Sequence, residues 1–146
     1  MQIRKGEILG IAGIDGNGQK ELVEAIHSLI KVKSGSIKIN DKHIENTNAK
    51  NVIESKISTI PEDRHKMGII LDFSVIENSV IERYNHEPYS KRKIMKHDTI
   101  KKFTEELIEN YDIRPKTCTY QPIRQLSGGN QQKVVIAREI ANNPDL

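Results

Sequence analysis

Apolar residues fall at three spacings along this chain, and each spacing predicts a different kind of element. Residues 6–12, Gly-Glu-Ile-Leu-Gly-Ile-Ala, read as a buried strand, and Leu22, Ile26, Leu29 and Ile30 then recur at helical spacing. The segment between them, 13–21, is rich in glycine, so the order is strand, glycine-rich loop, helix. Residues 35–40 alternate in strand fashion into a polar turn at Asn40-Asp41-Lys42, and residues 57–60 predict a short strand ended by Pro61. From Asp72 to about Gln125 the period becomes helical. Ile76, Val80, Ile81 and Tyr84 stripe one helix, and Ile100, Phe103, Leu107 and Tyr111 stripe another with Asp98 as its N-cap. Val134, Val135, Ala137 and Ile140 mark a last helix, stopped by Asn142-Asn143-Pro144. All these stripes read as core.

Two of the junctions carry chemistry. Residues 126–133, Leu-Ser-Gly-Gly-Asn-Gln-Gln-Lys, place a Ser-Gly-Gly turn at the start of the last helix. Adjacent glycines let backbone amides approach an anion, Ser127 adds a hydroxyl, and the helix presents the positive end of its dipole. A bare Ser-Gly-Gly is more often an ordinary turn; the whole octapeptide is far more specific. In the first loop Gly13, Gly16 and Gly18 permit a tight, phosphate-cradling turn of the P-loop kind. That pattern asks for Lys directly after the last glycine and then Ser or Thr, to hold the terminal phosphates and magnesium. This chain has Gln19 and Lys20. Gln19 brings a hydrogen bond without charge, and Lys20 cannot ligate magnesium. Lys20 reaching back to a phosphate is the alternative, although one residue along a helix is a turn of about 100°. A charge-assisted hydrogen bond is worth about 1.5–3 kcal/mol, so nucleotide binding is expected to be weakened rather than lost.

Residues 61–68, Pro-Glu-Asp-Arg-His-Lys-Met-Gly, are dense in charge and follow a predicted strand, where open α/β sheets place ligand sites; a solvated turn is the plain alternative. The run Lys91-Arg92-Lys93 with Lys96 reads as a solvated face, with anionic lipid headgroups as the other reading. The five histidines show no metal-ligand spacing. At 146 residues and a formal charge of +3 the chain is one domain by length and too mildly basic to point to nucleic acid. The lone Cys118 excludes an internal disulfide and suits a reducing compartment. No segment approaches the length of a membrane-spanning helix and the N-terminus lacks the apolar core of a signal peptide, so any membrane role is expected to be peripheral.

Taken in order, these motifs resemble those of the ATP-binding cassette (ABC) ATPases over the entire chain. The resemblance implies an α/β P-loop NTPase core, incomplete, with a helical subdomain: 1–71 as the P-loop and Q-loop part, 72–125 as the helical subdomain, and 126–146 as the signature and its helix. Glu62 stands where the family's Q-loop usually has Gln, which puts that magnesium contact in doubt, and Asn130 stands where many signatures have Gln. Gly-Ile-Asp-Gly-Asn-Gly-Gln at 13–19, Pro-Glu-Asp-Arg-His at 61–65 and the signature octapeptide look like the second, degenerate cassette of double-cassette ATPases that serve sugar and nucleoside importers. Leu71-Asp72-Phe73-Ser74 and Glu77-Asn78 place it closer to the nucleoside (basic membrane protein) branch.

The resemblance further implies ATP and Mg²⁺ as ligands. Gly13, Ile14, Asp15, Gly16, Asn17, Gly18, Gln19, Lys20 and Glu21 would form a weak nucleotide site. Leu126, Ser127, Gly128, Gly129, Asn130 and Gln131 would cap the γ-phosphate held by the first cassette of the same polypeptide. Permease subunits and, indirectly, an extracytoplasmic solute-binding protein would be the partners, at the cytoplasmic face of the membrane, with no nucleic acid. Family members continue past the residues seen here into a Walker B strand, so the chain is expected to be a fragment with exposed strand edges, not hydrolytic alone and supplying no catalytic or metal-ligating residue. A soluble ABC ATPase of translation or DNA repair and a purely regulatory nucleotide-binding module are the alternatives.

Overall fold

Helix α1, Gln19–Ile26, opens on Gly18, whose φ of +98° is a left-handed conformation that glycine adopts without a Cβ clash. A computed structural model describes residues 1–14 and 16–146; Asp15 lies outside the described residues. These residues form two compact units, Met1–Ile57 with Asp145–Leu146, and Ser58–Pro144. The division at 71 and 125 drawn from the motifs is one of sequence features and differs from this one.

In the first unit β1 (Lys38–Ile39) and β2 (Lys42–His43) pair antiparallel, Lys38 opposite His43 and Ile39 opposite Lys42. The turn between them is Asn40-Asp41, both at positive φ (48° and 64°), the hand that matches strand twist and the residue types that tolerate it. Helix α2, Ala49–Glu54, is capped by Asn48, whose side chain accepts the Asn51 amide at 2.9 Å. Ile44, Val52 and Ile57 form this unit's small core, with Ile26, Ile37 and Ile39 packed against it.

The strands expected at 6–12 and 57–60 are absent. Residues 6–12 pair with no segment among the described residues, and Ile8 is 98% exposed. Ile57 enters the core while Ile60 lies half exposed, again without a ladder. An apolar run becomes a strand only when neighbouring backbone supplies its hydrogen bonds, and none of the described segments does so here.

The second unit is helical. It contains α3 (Arg64–Met67), α4 (Val75–Val80), the hairpin β3 (Ser90–Lys91) and β4 (Ile94–Met95), α5 (His97–Asn110), and α6 (Gly128–Ala141). Short 3₁₀ turns at Cys118–Tyr120 and Ile123–Gln125 lead into α6. Val75, Leu107, Ile113, Ile123, Val134 and Val135 anchor one continuous core. Ser74 and Glu77 make a reciprocal capping box at the start of α4. Asn78 is fully buried; its Oδ1 accepts the Ile70 amide at 2.9 Å and its Nδ2 donates to the carbonyls of Ile70, Phe73 and Ser74, closing the loop before the helix.

Three details depart from the periodicity. α4 buries Val75, Asn78, Ser79 and Val80, while Tyr84 is exposed. Lys96, not Asp98, is the N-cap of α5, and Asp98 sits in the first turn, where its charge suits the helix dipole. In α6 Ile140 is 51% exposed, and the adjacent Arg138 and Glu139 are buried instead. Their burial is compensated: Arg138 donates to the carbonyls of Gly68 (3.0 Å) and Asn78 (3.3 Å) and pairs with Glu139 at 2.8 Å and Glu82 at 3.6 Å. Burial, and then the neighbouring Glu139 carboxylate, push the Glu82 carboxyl above its usual range against the pull of Arg138.

Candidate functional site

The Ser-Gly-Gly turn is held from both sides of the chain. Leu126 is buried in the core, and Ser127 then leaves the helix as its N-cap. Ser127 Oγ accepts from the backbone amide of Asn130 (3.4 Å) and from its Nδ2 (2.9 Å), while Asn130 Oδ1 accepts the Arg114 amide at 2.8 Å. Both lone pairs of the hydroxyl are thereby used, and its proton has no acceptor among the described residues. Gly128 and Gly129 are exposed, and a Cβ added to Gly129 would meet nothing within 4 Å. An approaching anion therefore finds open space over the first turn of α6, helical amides with no intrahelical acceptor, and one free hydroxyl donor.

Gln131 fixes this geometry. Its Nε2 donates to the carbonyls of Ile123 (3.2 Å) and Leu126 (3.0 Å), which leaves Oε1 as acceptor for Arg64 Nε (3.4 Å) and His65 Nε2 (2.9 Å). The amide orientation in turn assigns the proton of His65 to Nε2. The guanidinium of Arg64 lies so close to the start of α6 that a Cβ on Gly128 would come within 2.8 Å of its Nη2. A cation thus stands beside the glycines, which adds to the pull on an anion. Asp63 caps α3 by accepting the amides of His65 (3.0 Å) and Lys66 (3.2 Å); desolvation pushes its carboxyl up, and those bonds with the Lys66 ammonium together outweigh it and hold the carboxyl below the usual range. Glu62 is exposed. The charged stretch 61–68 is therefore no mere solvated turn, and Arg64 and His65 are the residues that sequence reasoning overlooked. Their nearness to Gln131, 67 and 66 positions along the chain, had no local signal.

The glycine-rich loop at 13–21 is arranged differently. Gly16 and Gly18 take positive φ (82° and 98°), and Asn17 donates its amide to the Ile14 carbonyl at 3.2 Å. Gln19 folds back over the loop, with Nε2 at 3.4 Å from the Ile14 carbonyl and so close to Gly13 that a Cβ there would collide with it. Lys20 does not reach back. Its ammonium lies 3.7 Å from Glu24 one turn along α1 and is 79% exposed. Glu21 stands in the first turn of α1, and the expected role of Asp15 falls outside the described residues. Among the described residues no group of three or more His, Cys, Asp or Glu side chains converges as a metal ion would require, and no helix is long and apolar enough to cross a membrane.

The family profile described as ABC transporter matches residues 1–146. The chain belongs to the ABC transporter family. It is 47% identical over 146 residues to the guanosine import ATP-binding protein NupO of Bacillus subtilis (strain 168), covering 100% of this chain and 28% of NupO. It is 46% identical to the nucleoside import ATP-binding protein NupA of Lactococcus lactis subsp. cremoris (strain MG1363), covering 100% of this chain and 29% of that protein. A ribose import ATP-binding protein, RbsA of Bacillus cereus (strain ATCC 14579), is 37% identical over 145 residues, 99% of this chain and 29% of RbsA. The chain thus spans under a third of the length of these relatives.

Among solved structures, the dimeric form of MJ0796, a bacterial ABC transporter cassette, superposes with a TM-score of 0.76 at 24% identity, over 99% of this chain and 60% of that one. A post-hydrolysis state of the same cassette bound to ADP and Pi gives 0.76 at 25%, with the same coverage. The fold is accordingly that of an ABC ATPase cassette, an α/β P-loop NTPase with a helical part, and ATP with Mg²⁺ is the ligand the family implies. In this ABC chain the turn at 126–131 offers an anion open amides, a free hydroxyl and a nearby guanidinium. The loop at 13–21 offers backbone amides and an uncharged amide side chain.

Proposed function

We propose that this chain is the second, degenerate cassette of a double-cassette ABC importer ATPase for nucleosides or simple sugars, and part of a longer polypeptide. The observation that carries this reading is the contrast between a fully buttressed signature turn and a P-loop whose charge position is taken by Gln19 folded onto the loop. The import functions named for NupO, NupA and RbsA support the substrate class, and the small share of each relative that is matched supports the portion. Ser127, Gly128 and Gly129 cap the γ-phosphate bound by the first cassette. Residues 13–21 hold ATP weakly in the other site, and Mg²⁺ is supplied mainly by the first cassette. Glu62 occupies the Q-loop position. By motif, 1–71 belongs to the core, 72–125 to the helical subdomain, and 126–146 returns to the core. Permease subunits and, through them, a solute-binding protein complete the assembly, with the cassette peripheral on the cytoplasmic face.

Gly129→Asp and Gln19→Ala in the full-length protein with its permease test this division. The Asp carboxylate would stand in the open space beside Gly129 where a γ-phosphate must sit, and close like charges block closure. ATP turnover should nearly vanish in Gly129→Asp, with nucleotide binding to the separated first cassette intact, while Gln19→Ala should change turnover only modestly. Greater damage from Gln19→Ala would refute the assignment.

A further inference from the structure

The described residues form two hairpins with the same two-residue turn, and they differ in what occupies it. In β1–β2 the turn is Asn40-Asp41, at φ 48° and 64°; in β3–β4 it is Arg92-Lys93, at φ 51° and 65°. Asn and Asp tolerate the left-handed region because their short polar side chains bond locally, whereas Arg and Lys have no such compensation. Strain of this kind persists where the surroundings enforce it and concentrates at functional segments. The surroundings do enforce it here. Lys96 donates its amide to the Tyr89 carbonyl at 2.8 Å, Ser90 is buried and bonded to the His86 carbonyl at 2.9 Å, and the Tyr89 ring packs on Phe103 with centroids 5.1 Å apart. A rigid base thus projects a tip that carries two cations in an unfavourable backbone.

The tip is also unusual in charge. Residues 91–102 hold six Lys or Arg and one acid, a net of +5, whereas the whole chain carries +3, so the rest of it sums to −2. Lys91, Arg92, Lys93 and Lys96 form no ion pair among the described residues, although Lys101 pairs with Glu105 at 3.8 Å. Beside these cations stand two exposed apolar side chains, Ile94 at 72% and Met95 at 40%. Cations flanked by exposed aliphatic groups match a bilayer interface, which takes up both phosphate-seeking charge and apolar surface. A single-stranded nucleic acid would favour exposed aromatic rings for stacking, and Tyr89, next to the hairpin in sequence, is packed on Phe103.

We infer that the β3–β4 hairpin is a membrane-surface contact that binds anionic phospholipid headgroups through Lys91, Arg92, Lys93 and Lys96 and sets Ile94 and Met95 into the interface. This contact is independent of the roles assigned to the glycine-rich motifs. It would give a peripheral cassette a lipid footing of its own, in addition to any permease.

Co-sedimentation of the chain with phosphatidylglycerol–phosphatidylcholine vesicles, and with phosphatidylcholine alone, tests the inference. Binding should require the anionic lipid and weaken with salt. Each cation near such a surface contributes about fivefold, so Arg92→Asn with Lys93→Gly should weaken binding roughly 25-fold. That pair is the one the turn prefers, so the melting temperature should hold or rise, and lost binding cannot be ascribed to unfolding. Lys91→Gln, outside the turn, should cost about fivefold, and Ile94→Ser a comparable factor through lost apolar contact. Failure to bind anionic vesicles, equal binding to neutral ones, or full binding by the Asn-Gly variant would overturn the inference. So would tighter binding to duplex DNA than to vesicles with no effect of Ile94→Ser, since that outcome marks a polyanion surface.

Discussion

At 126–131 the side chains that shape the turn are already committed: Ser127 to Asn130, Asn130 to Arg114, and Gln131 to two carbonyls, Arg64 and His65. Among the described residues of 13–21, Gln19 makes a 3.4 Å side-chain bond to the Ile14 carbonyl beside the 3.2 Å backbone bond from Asn17, and α1 behind them buries no residue. Both segments are glycine-rich starts of a helix, so composition does not separate them. Support from the surrounding fold does. A preorganised turn can hold an anion without rearranging, whereas a loop closed by its own side chain must first give that contact up.

The contrast breaks most sharply at the helix behind each segment. Arg138→Met, in α6, leaves Glu139 buried without its partner and should cost about 3–5 kcal/mol in urea unfolding. Lys20→Met, in α1, removes an exposed pair and should stay within about 0.5 kcal/mol. Equal losses would mean that the two segments are supported alike.

Gln131→Leu keeps the bulk but strands the Leu126 carbonyl, leaves the Ile123 carbonyl with the Leu126 amide alone, and frees Arg64 and His65. A loss of about 1–3 kcal/mol follows from the orphaned groups, and amide exchange at Gly128 and Gly129 should quicken. Unchanged exchange there would show that Gln131 does not hold the turn.

The loop can also be moved toward the signature in strength. Gln19→Lys with Lys20→Ser removes the side chain folded over Gly13 and restores charge and hydroxyl, so Mg-ATP affinity should rise about ten- to a hundredfold by calorimetry on the full-length protein. No gain would mean that 13–21 does not cradle phosphate.

The smallest effect belongs to pH. Its own backbone amide, the His43 side chain and the Ile37 amide hold the Glu45 carboxyl down at about 2, from an ordinary 4.5. A depressed pKa contributes stability that is present above 4.5 and lost as pH falls toward 2. Acid unfolding of the wild type should therefore show a component in that window that Glu45→Gln lacks.

Much of the helical unit, and the first unit's hairpin turn, was legible because the signals are local. The stripe of Val134, Val135 and Ala137, the stop at Asn142-Asn143-Pro144, and the Asn40-Asp41 turn each follow from spacing and from backbone preference within a few residues. The eight residues from Leu126 to Lys133 likewise announced a family that the comparisons then showed. Tertiary structure decided the rest. It buried Arg138 and Glu139 while leaving Ile140 in solvent, because carbonyls from Gly68 and Asn78 were waiting for the guanidinium. It brought Arg64 and His65 to Gln131, and it left residues 6–12 without a ladder despite their apolar run. Helical periodicity and turns depend on neighbours in sequence, whereas strands and buried charges depend on neighbours in space, which sequence spacing alone does not specify.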